Sequence, residues 1–315
     1  MTEQEPIELP RGVALAWGVA ASPQRGPKRE MSVEAIVDAA VEIADAEGLG
    51  AVSMAAVAKK LGFTPMSLYR YVSAKDDLLL LMQEEGTGVP SGAHREAEGW
   101  REKLLVLFRE QVELYVRHPW LLAIPITGSP ATPNSSAWIE EGLAALEDTP
   151  LTAEERMAAI LAMTGQARWN GMVLAGYAES ARDSGRSDDE IAAQEQAFYD
   201  AVITEEAYPH LRAAVDAGVF TSPYDPFTWG FERTLDGIAA YIAGLERGEP
   251  HRIGDPLAPP DDLDVADDKR YRAAAKAAAD AQKALRLAEK ELRLARKLQR
   301  QALAEARERR ARAAR

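Results

Sequence analysis

Three observations predict an all-α fold for this 315-residue chain. Apolar residues recur at three- and four-residue spacing through most of it, the interval that lines one face of a helix. Ser, Thr, Gly and Pro stand at the ends of these runs, where helices start and stop. No stretch of useful length alternates apolar with polar residues as a half-buried strand does. The runs group into a small N-terminal three-helix unit, a larger helical domain and an extra long basic helix at the C-terminus.

Residues 1–31 are rich in Pro and Gly, show no period and read as a flexible arm. Within it Val13 to Ala21 resembles a short signal-peptide core, but Glu3, Glu5 and Glu8 precede it where a secretory signal needs positive charge. From Ser32, a good N-cap, Val33, Ile36, Ala40, Ile43 and Ala44 line a first helix that Gly48 ends. Ser53 caps a short second helix whose inward residues are Val57, Ala58 and Leu61, and Gly62 breaks it. Thr64 caps a third, with Pro65 at its first position, where a missing N–H costs nothing. Leu68 and Val72, four apart, face inward. Ser73-Ala74-Lys75-Asp76 has a capping-box pattern and opens a fourth helix through Leu78 to Met82, so this first unit spans 32–85.

After a Gly/Pro/Ser stretch at 86–92, helices are expected over Trp100 to Arg117, Ser136 to Glu147, Leu151 to Arg182, Asp188 to about Ala217, and Phe227 to Leu245. Thr152 with Glu155 three residues on caps the third of these. The second domain is therefore 86–248. Residues 249–268, with four Pro and a run of Asp, read as a linker, and Lys269 to Arg315 as one Ala-rich helix up to about 70 Å long. Ala281, Leu285, Ala288, Leu292 and Ala295 make an a/d seam in it that Gln299 interrupts.

The formal net charge of -13 argues at first against a nucleic-acid partner. Its distribution reverses that. Residues 1–260 carry -19, the Asp run at 261–268 carries -5, and 269–315 carry +11. Within the acidic part, Pro10 to Arg29 and Ser53 to Lys75 contain no acid at all. A phosphate senses charge within a Debye length of about 8–10 Å, so these windows outweigh the total. The chain has no Cys, which removes disulfides, thiolate metal sites and a Cys nucleophile and fits a reducing cytoplasm, its expected location. No apolar run approaches the roughly 18 residues of a membrane span.

Two short helices joined at Leu61-Gly62-Phe63-Thr64, with a third supporting them, form a helix-turn-helix. Such a unit must present hydrogen-bonding or methyl-contacting side chains to a major groove about 12 Å wide, with flanking cations for the phosphates. Pro65, Met66, Ser67, Tyr69, Arg70 and Tyr71 lie outside the inward pair Leu68 and Val72, and Lys75 follows at the edge. The ordered set Ala46-Glu47-Gly48, Val57-Ala58-Lys59-Lys60-Leu61-Gly62, Ser67-Leu68-Tyr69-Arg70-Tyr71-Val72 and Lys75-Asp76-Asp77-Leu78-Leu79 resembles the DNA-binding domain of TetR-family (tetracycline-repressor-like) regulators.

That resemblance implies a homodimer on a palindromic operator in double-stranded DNA, with Pro65, Met66, Ser67, Arg70 and Tyr71 facing bases and Tyr69 and Lys75 contacting phosphate. Ser53 and Thr64, at the two helix starts, complete the expected DNA-contacting set. Where the founding repressor has a guanine-reading Arg this chain has Ala55, and an aromatic–His pair becomes Arg70-Tyr71. Arg70 is therefore the candidate guanine contact. Tyr69 and Tyr71 could instead pack on the first helix, and Lys59 and Lys60 could be a solvated face. Arg25-Gly26-Pro27-Lys28-Arg29 is a weak match to a minor-groove arm.

Residues 95–248, through His118-Pro119-Trp120-Leu121 and the segment Phe231 to Ile238, resemble the ligand-binding and dimerisation domain of the same family. This implies a small-molecule effector in a mostly apolar cavity and pairing of the last two long helices. Gln166, Trp169, Asn170 and Val173 share a face of the long helix, and Trp100, Phe108, Tyr115 and Trp120 could supply an aromatic wall. Ordinary core packing is the competing reading for each, and as a group they point to a neutral, partly aromatic ligand. Phe227, Phe231, Leu235, Ile238 and Ile242 form the stripe expected at the dimer interface, with core packing within one subunit the competing reading for about half of them.

Nothing calls for a cofactor or catalysis. His94, His118, His210 and His251 lie far apart, no His-Glu-x-x-His pattern suggests a metal, and no glycine-rich phosphate loop follows a strand. The expected function is a ligand-responsive repressor. The competing readings are an architectural DNA-binding protein anchored by the basic C-terminal helix, and a C-terminal tail that serves as a coiled-coil or protein-interaction arm.

Overall fold

The computed structural model describes residues 9–19, 31–126, 132–252, 254 and 265–313, and every regular element among them is helical. Two compact units divide the chain at Pro250/His251.

The first unit begins with α1 (Arg11–Ala16), where a flexible arm was expected. Its Leu15 and Ala16 pack on the same apolar cluster as the helices that follow, and buried Gly12 lies against Asp77. Short apolar contacts to an existing core thus order a segment with no helical period of its own. The Arg25–Arg29 stretch lies outside the described residues.

Ser32 Oγ accepts from Ala35 N at 3.1 Å and starts α2 (Val33–Glu47), which buries Ile36, Val37, Ala40 and Ile43. Around it stand α3 (Met54–Leu61), α4 (Pro65–Leu68) and α5 (Lys75–Thr87). Ile36, Val57, Leu68, Val72, Leu78 and Met82 are fully enclosed. Burying side chains of this size contributes roughly 1.5–3 kcal/mol each, more than the short helices' own propensity could. The expected capping box at Ser73 does not form. Ala74 is the N-cap of α5, and Ser73 Oγ instead donates to Asp77 Oδ2 at 2.7 Å.

The body consists of α6 (Gly99–Arg117), α7 (Pro133–Ala145), α8 (Ala153–Ser184), α9 (Asp188–Val202), α10 (Pro209–Asp216) and α11 (Pro226–Glu246). The Thr152–Glu155 capping box is present at the start of α8. The single helix expected over 188–217 is two, because the chain turns at Thr204–Ala207 and Pro209, lacking an N–H, sits at the first position of α10. Helices α6 and α8 are closely apposed where Gly171 meets Tyr115. A Cβ at Gly171 would stand 2.4 Å from the Tyr115 Cβ. Phe108 of α6 and Phe231 of α11 stack with ring centroids 4.1 Å apart in the centre of this core.

The second unit contains α12 (Lys269–Ala313), one helix of 45 residues. Leu285, Leu287, Leu292, Leu294, Leu298 and Leu303 are all more than half exposed on it.

Candidate functional site

The turn between α3 and α4 is built by hydrogen bonds that the sequence specifies. Ser53 Oγ accepts from Ala56 N at 3.1 Å and sets where α3 begins. At its other end Gly62 adopts φ +75° and ψ 28°, the left-handed region that a side chain disfavours. Its N–H reaches Lys59 O at 3.2 Å while Phe63 N reaches Ala58 O at 2.8 Å, a Schellman closure that reverses the chain sharply. Thr64 has N-cap backbone geometry, yet its hydroxyl does not cap. It contacts Ser67 Oγ at 3.4 Å, and Ser67 Oγ donates to Thr64 O at 2.6 Å.

The expected third helix is one turn of α-helix continued by a tight turn, with Tyr71 N and Val72 N both bonding to Leu68 O. Leu68 and Val72 are enclosed anchors, so the residues between and before them are pushed outward. Met66 is 76% exposed and Tyr69 45%. Pro65, Arg70, Ser53 and Lys75 are exposed too. Thr64, Met66, Ser67, Tyr69 and Arg70 line one open groove. Tyr71 is half-buried, with one side against the N-terminal core and the rest open. Lys60 is engaged by Glu42 of α2 at 2.7 Å, whereas Lys59 is simply exposed. Phe63, 41% exposed at the turn, joins the same surface and had no distinguishing signal in the sequence.

Specific bonds tie this head to the body. Asp45 on α2 accepts from Trp120 Nε1 at 2.6 Å, and the same oxygen lies 2.7 Å from His118 Nδ1. A carboxylate can only accept, so that imidazole nitrogen carries the proton. At the end of α5, Asn134 N donates to Glu84 Oε1 at 2.7 Å, Asn134 Nδ2 donates to Glu84 O at 2.8 Å, and Trp138 Nε1 donates to Gly88 O at 3.0 Å. Gly86 leaves room for the Trp120 ring, which a Cβ there would meet at 2.7 Å. Periodicity is blind to these ties, because each hydrogen bond joins residues 50 or more apart.

The residues expected around an effector do not converge on one cavity. Phe108 and Trp120 are buried in two different apolar clusters, the first stacked on Phe231 and the second bonded to Asp45. Trp100 packs on the body core. Tyr115 lies between α6 and α8 with the Arg168 guanidinium 5.8 Å from its ring centroid, and burial pushes its phenol up, against the opposing pull of Arg168. Gln166 Oε1 accepts from Thr234 Oγ1 at 3.3 Å. Asn170 is 1% exposed with an unpartnered Nδ2, and Gln111 on α6, which no sequence signal singles out, is buried with an unpartnered Oε1. Trp169 is 56% exposed. With Val173, Met172 and Tyr177 of α8 and Ile191 and Glu195 of α9 it lines an open groove, across which Tyr177 OH donates to Glu195.

The stripe expected to pair two protomers lies largely inside its own chain. Phe231, Leu235 and Ile242 are buried inside one protomer, with Ile238 packed beside them and Phe227 half-buried. An apolar stripe on a last core helix serves the core of its own chain first, and spacing alone does not distinguish that from an interface. What α11 and α8 leave outside is different. Trp229 on α11 and Leu161 and Met172 on α8 are all about half exposed or more.

A polar cluster also went unnoticed. His94 is 2% exposed, and its Nε2 lies 2.7 Å from Glu141 Oε2, while Arg95 binds the other carboxylate oxygen. The Arg95 hydrogen bond, then that from His94, holds the Glu141 carboxyl down to about 2. Among the described residues no three acids or histidines gather as a metal site, and no helix is long and apolar enough to cross a membrane.

Comparison with known proteins agrees with this arrangement. Residues 36–82 match the family model described as bacterial regulatory proteins, tetR family, and residues 93–242 match the tetracyclin repressor-like C-terminal domain. The chain is 34% identical over 250 residues to the HTH-type transcriptional repressor DrrR1 of Streptomyces coeruleorubidus, covering 77% of this chain and 89% of that one. It is 29% identical over 248 residues to an HTH-type transcriptional regulator of Saccharopolyspora erythraea, covering 78% and 100%. In fold it is similar to ActR of Streptomyces coelicolor, solved in complex with actinorhodin (TM-score 0.52, 24% identity, 69% and 98% covered). It is likewise similar to the TetR regulator SCO7222 of that organism (TM-score 0.51, 21% identity, 67% and 99% covered). An acid-free helix-turn-helix on an acidic helical body, both halves matched in order, makes this chain a member of the TetR family of DNA-binding transcriptional regulators.

Proposed function

We propose that this regulator acts as a ligand-responsive repressor whose homodimer reads a palindromic operator through Pro65, Met66, Ser67, Arg70 and Tyr71, with Ser53, Thr64, Tyr69 and Lys75 on the phosphates. The observation that carries this is the exposed groove from Thr64 to Arg70, held out by the buried pair Leu68 and Val72 within the acid-free segment 53–75. Arg70 reads guanine, the base whose paired acceptors a guanidinium fits best.

The protomers pair through the outward faces of α8 and α11, with Leu161, Met172 and Trp229 in the seam. A partly aromatic effector enters between the body helices, where the buried unpartnered amides of Gln111 and Asn170 can hold its polar groups, or in the α8–α9 groove beside Trp169. Its binding changes how the Asp45 and Glu84 ties hold the reading heads, a coupling that needs only about 1–3 kcal/mol.

Selection of bound fragments from random duplex DNA tests the reading. A palindromic consensus is expected, and Arg70→Ala should weaken binding to that consensus by roughly 5- to 150-fold and relax preference at one base pair per half-site. Equal affinity of Arg70→Ala and the parent for the consensus at fixed salt overturns the assignment of Arg70.

A further inference from the structure

We propose that α12 pairs with the same helix of a second chain as a parallel, in-register two-stranded coiled coil. This goes beyond the reading of the operator and does not depend on it.

From Tyr271 onward the helix repeats in sevens. Tyr271, Ala278, Leu285, Leu292, Gln299 and Ala306 fall at position a, and Ala274, Ala281, Ala288, Ala295 and Ala302 at position d. The repeat extends to the outside of the helix. Lys269, Lys276, Lys283 and Lys290 occupy f, and Arg272, Arg286, Arg300 and Arg307 occupy b. A solvated helix selected only for charge has no reason to place Lys at every seventh residue. A helix with one dry edge does, because 3.5 residues per turn keeps that edge straight along a supercoil.

The flanks of the seam name the occupant. In a parallel pair each g residue faces the e residue five positions later on its partner. Glu291 at g then meets Arg296 of the second copy, Glu305 meets Arg310, and Leu298 meets Leu303. Two ion pairs and one apolar contact are matched, and no like charges oppose. Phosphate or lipid headgroups would need the cations but not acids spaced five residues ahead of them. Within the helix Glu305 also lies 3.6 Å from Arg309, an exposed contact that adds little. Leu285, Leu292, Leu298 and Leu303 are more than half exposed on the single helix, and pairing covers all four, leaving Leu287 and Leu294 at c outside. Gln299 is the one polar a residue between Leu292 and Ala306. Two copies can bond to each other only when aligned, so this layer sets register at some cost in stability.

The chain has no Cys, so single cysteines introduced in the full-length protein report geometry directly. At d in a parallel pair the Cα atoms lie within the disulfide range of about 4.4–6.8 Å. Ala281→Cys and Ala295→Cys, two heptads apart, should each oxidise to a covalent dimer on the order of tenfold faster than Lys283→Cys at f. A mixture of the two single variants should yield mostly like-with-like links. Links formed only between Ala281→Cys and Ala295→Cys indicate an antiparallel pair crossing near Ala288 and overturn the proposal. Equal rates at Ala281→Cys and Lys283→Cys, or no links at either d position, mean that α12 has no defined seam and overturn it too.

Discussion

Replacing Asp45 by Ala removes one carboxylate oxygen that serves both Trp120 Nε1 at 2.6 Å and His118 Nδ1 at 2.7 Å. The two partners pay differently. Trp120 is only 4% exposed, so its N–H loses its acceptor where water does not readily replace it, a loss of about 1–3 kcal/mol. The His118 side chain is 18% exposed and partly rehydrates, which keeps its share at the low end. A destabilisation of about 2 kcal/mol is expected, worth roughly 4–8 °C in Tm for a unit of this size. The bonds themselves are isolated by a double-mutant cycle in urea. In a Trp120→Phe background the indole N–H is already gone, so Asp45→Ala should cost about 1 kcal/mol less than in the parent. Additivity of the two changes to within about 0.5 kcal/mol would mean that the Asp45–Trp120 bond contributes nothing, leaving the Asp45–His118 bond and apolar packing to hold α2 to the body.

Two further predictions separate roles that the chain's spacing leaves mixed. Phe231→Ala deletes a ring that is 1% exposed and stacked on Phe108, so unfolding should be easier by about 3–5 kcal/mol. Light scattering should show the same assembly mass as the parent at matched concentration, and dissociation of a still-folded protein would restore Phe231 to an interface. Glu141 has its pKa depressed, so its contribution is present above the usual carboxylate range and lost as pH falls toward about 2. Glu141→Gln should therefore lower Tm at pH 7, with the gap from the parent closing steadily below pH 4.5. A gap independent of pH would assign the loss to packing.

The helices of the head were legible because each boundary is a local event. Ser32 and Ser53 accept from the amide three residues on, and Gly62 supplies a positive φ, so identity at one position decides the outcome. The outward set Pro65 to Arg70 followed from the same periodicity that buried Leu68 and Val72. Sequence and structure part where local and distant demands compete. Ser73 met Asp77 rather than an amide, and α1 formed because a core was there to receive Leu15. The body is the least legible part of the sequence. Trp120, Phe108 and Trp169 look alike in a sequence, yet one bonds to Asp45, one stacks in the core and one faces solvent.

By itself, then, the sequence determined the all-α class, the place and polarity of the helix-turn-helix, the acid-free segment that contains it and the sevenfold repeat of the basic helix. All four depend on residues within a turn or two of one another. Only the tertiary structure decided which apolar stripe became the core, which buried amides went unpaired, and how the head is fastened at Asp45 and Glu84. Those outcomes depend on which side chains, dozens of residues apart, arrive within 3 Å, and a helical period carries a direction around its axis but no information about what lies there.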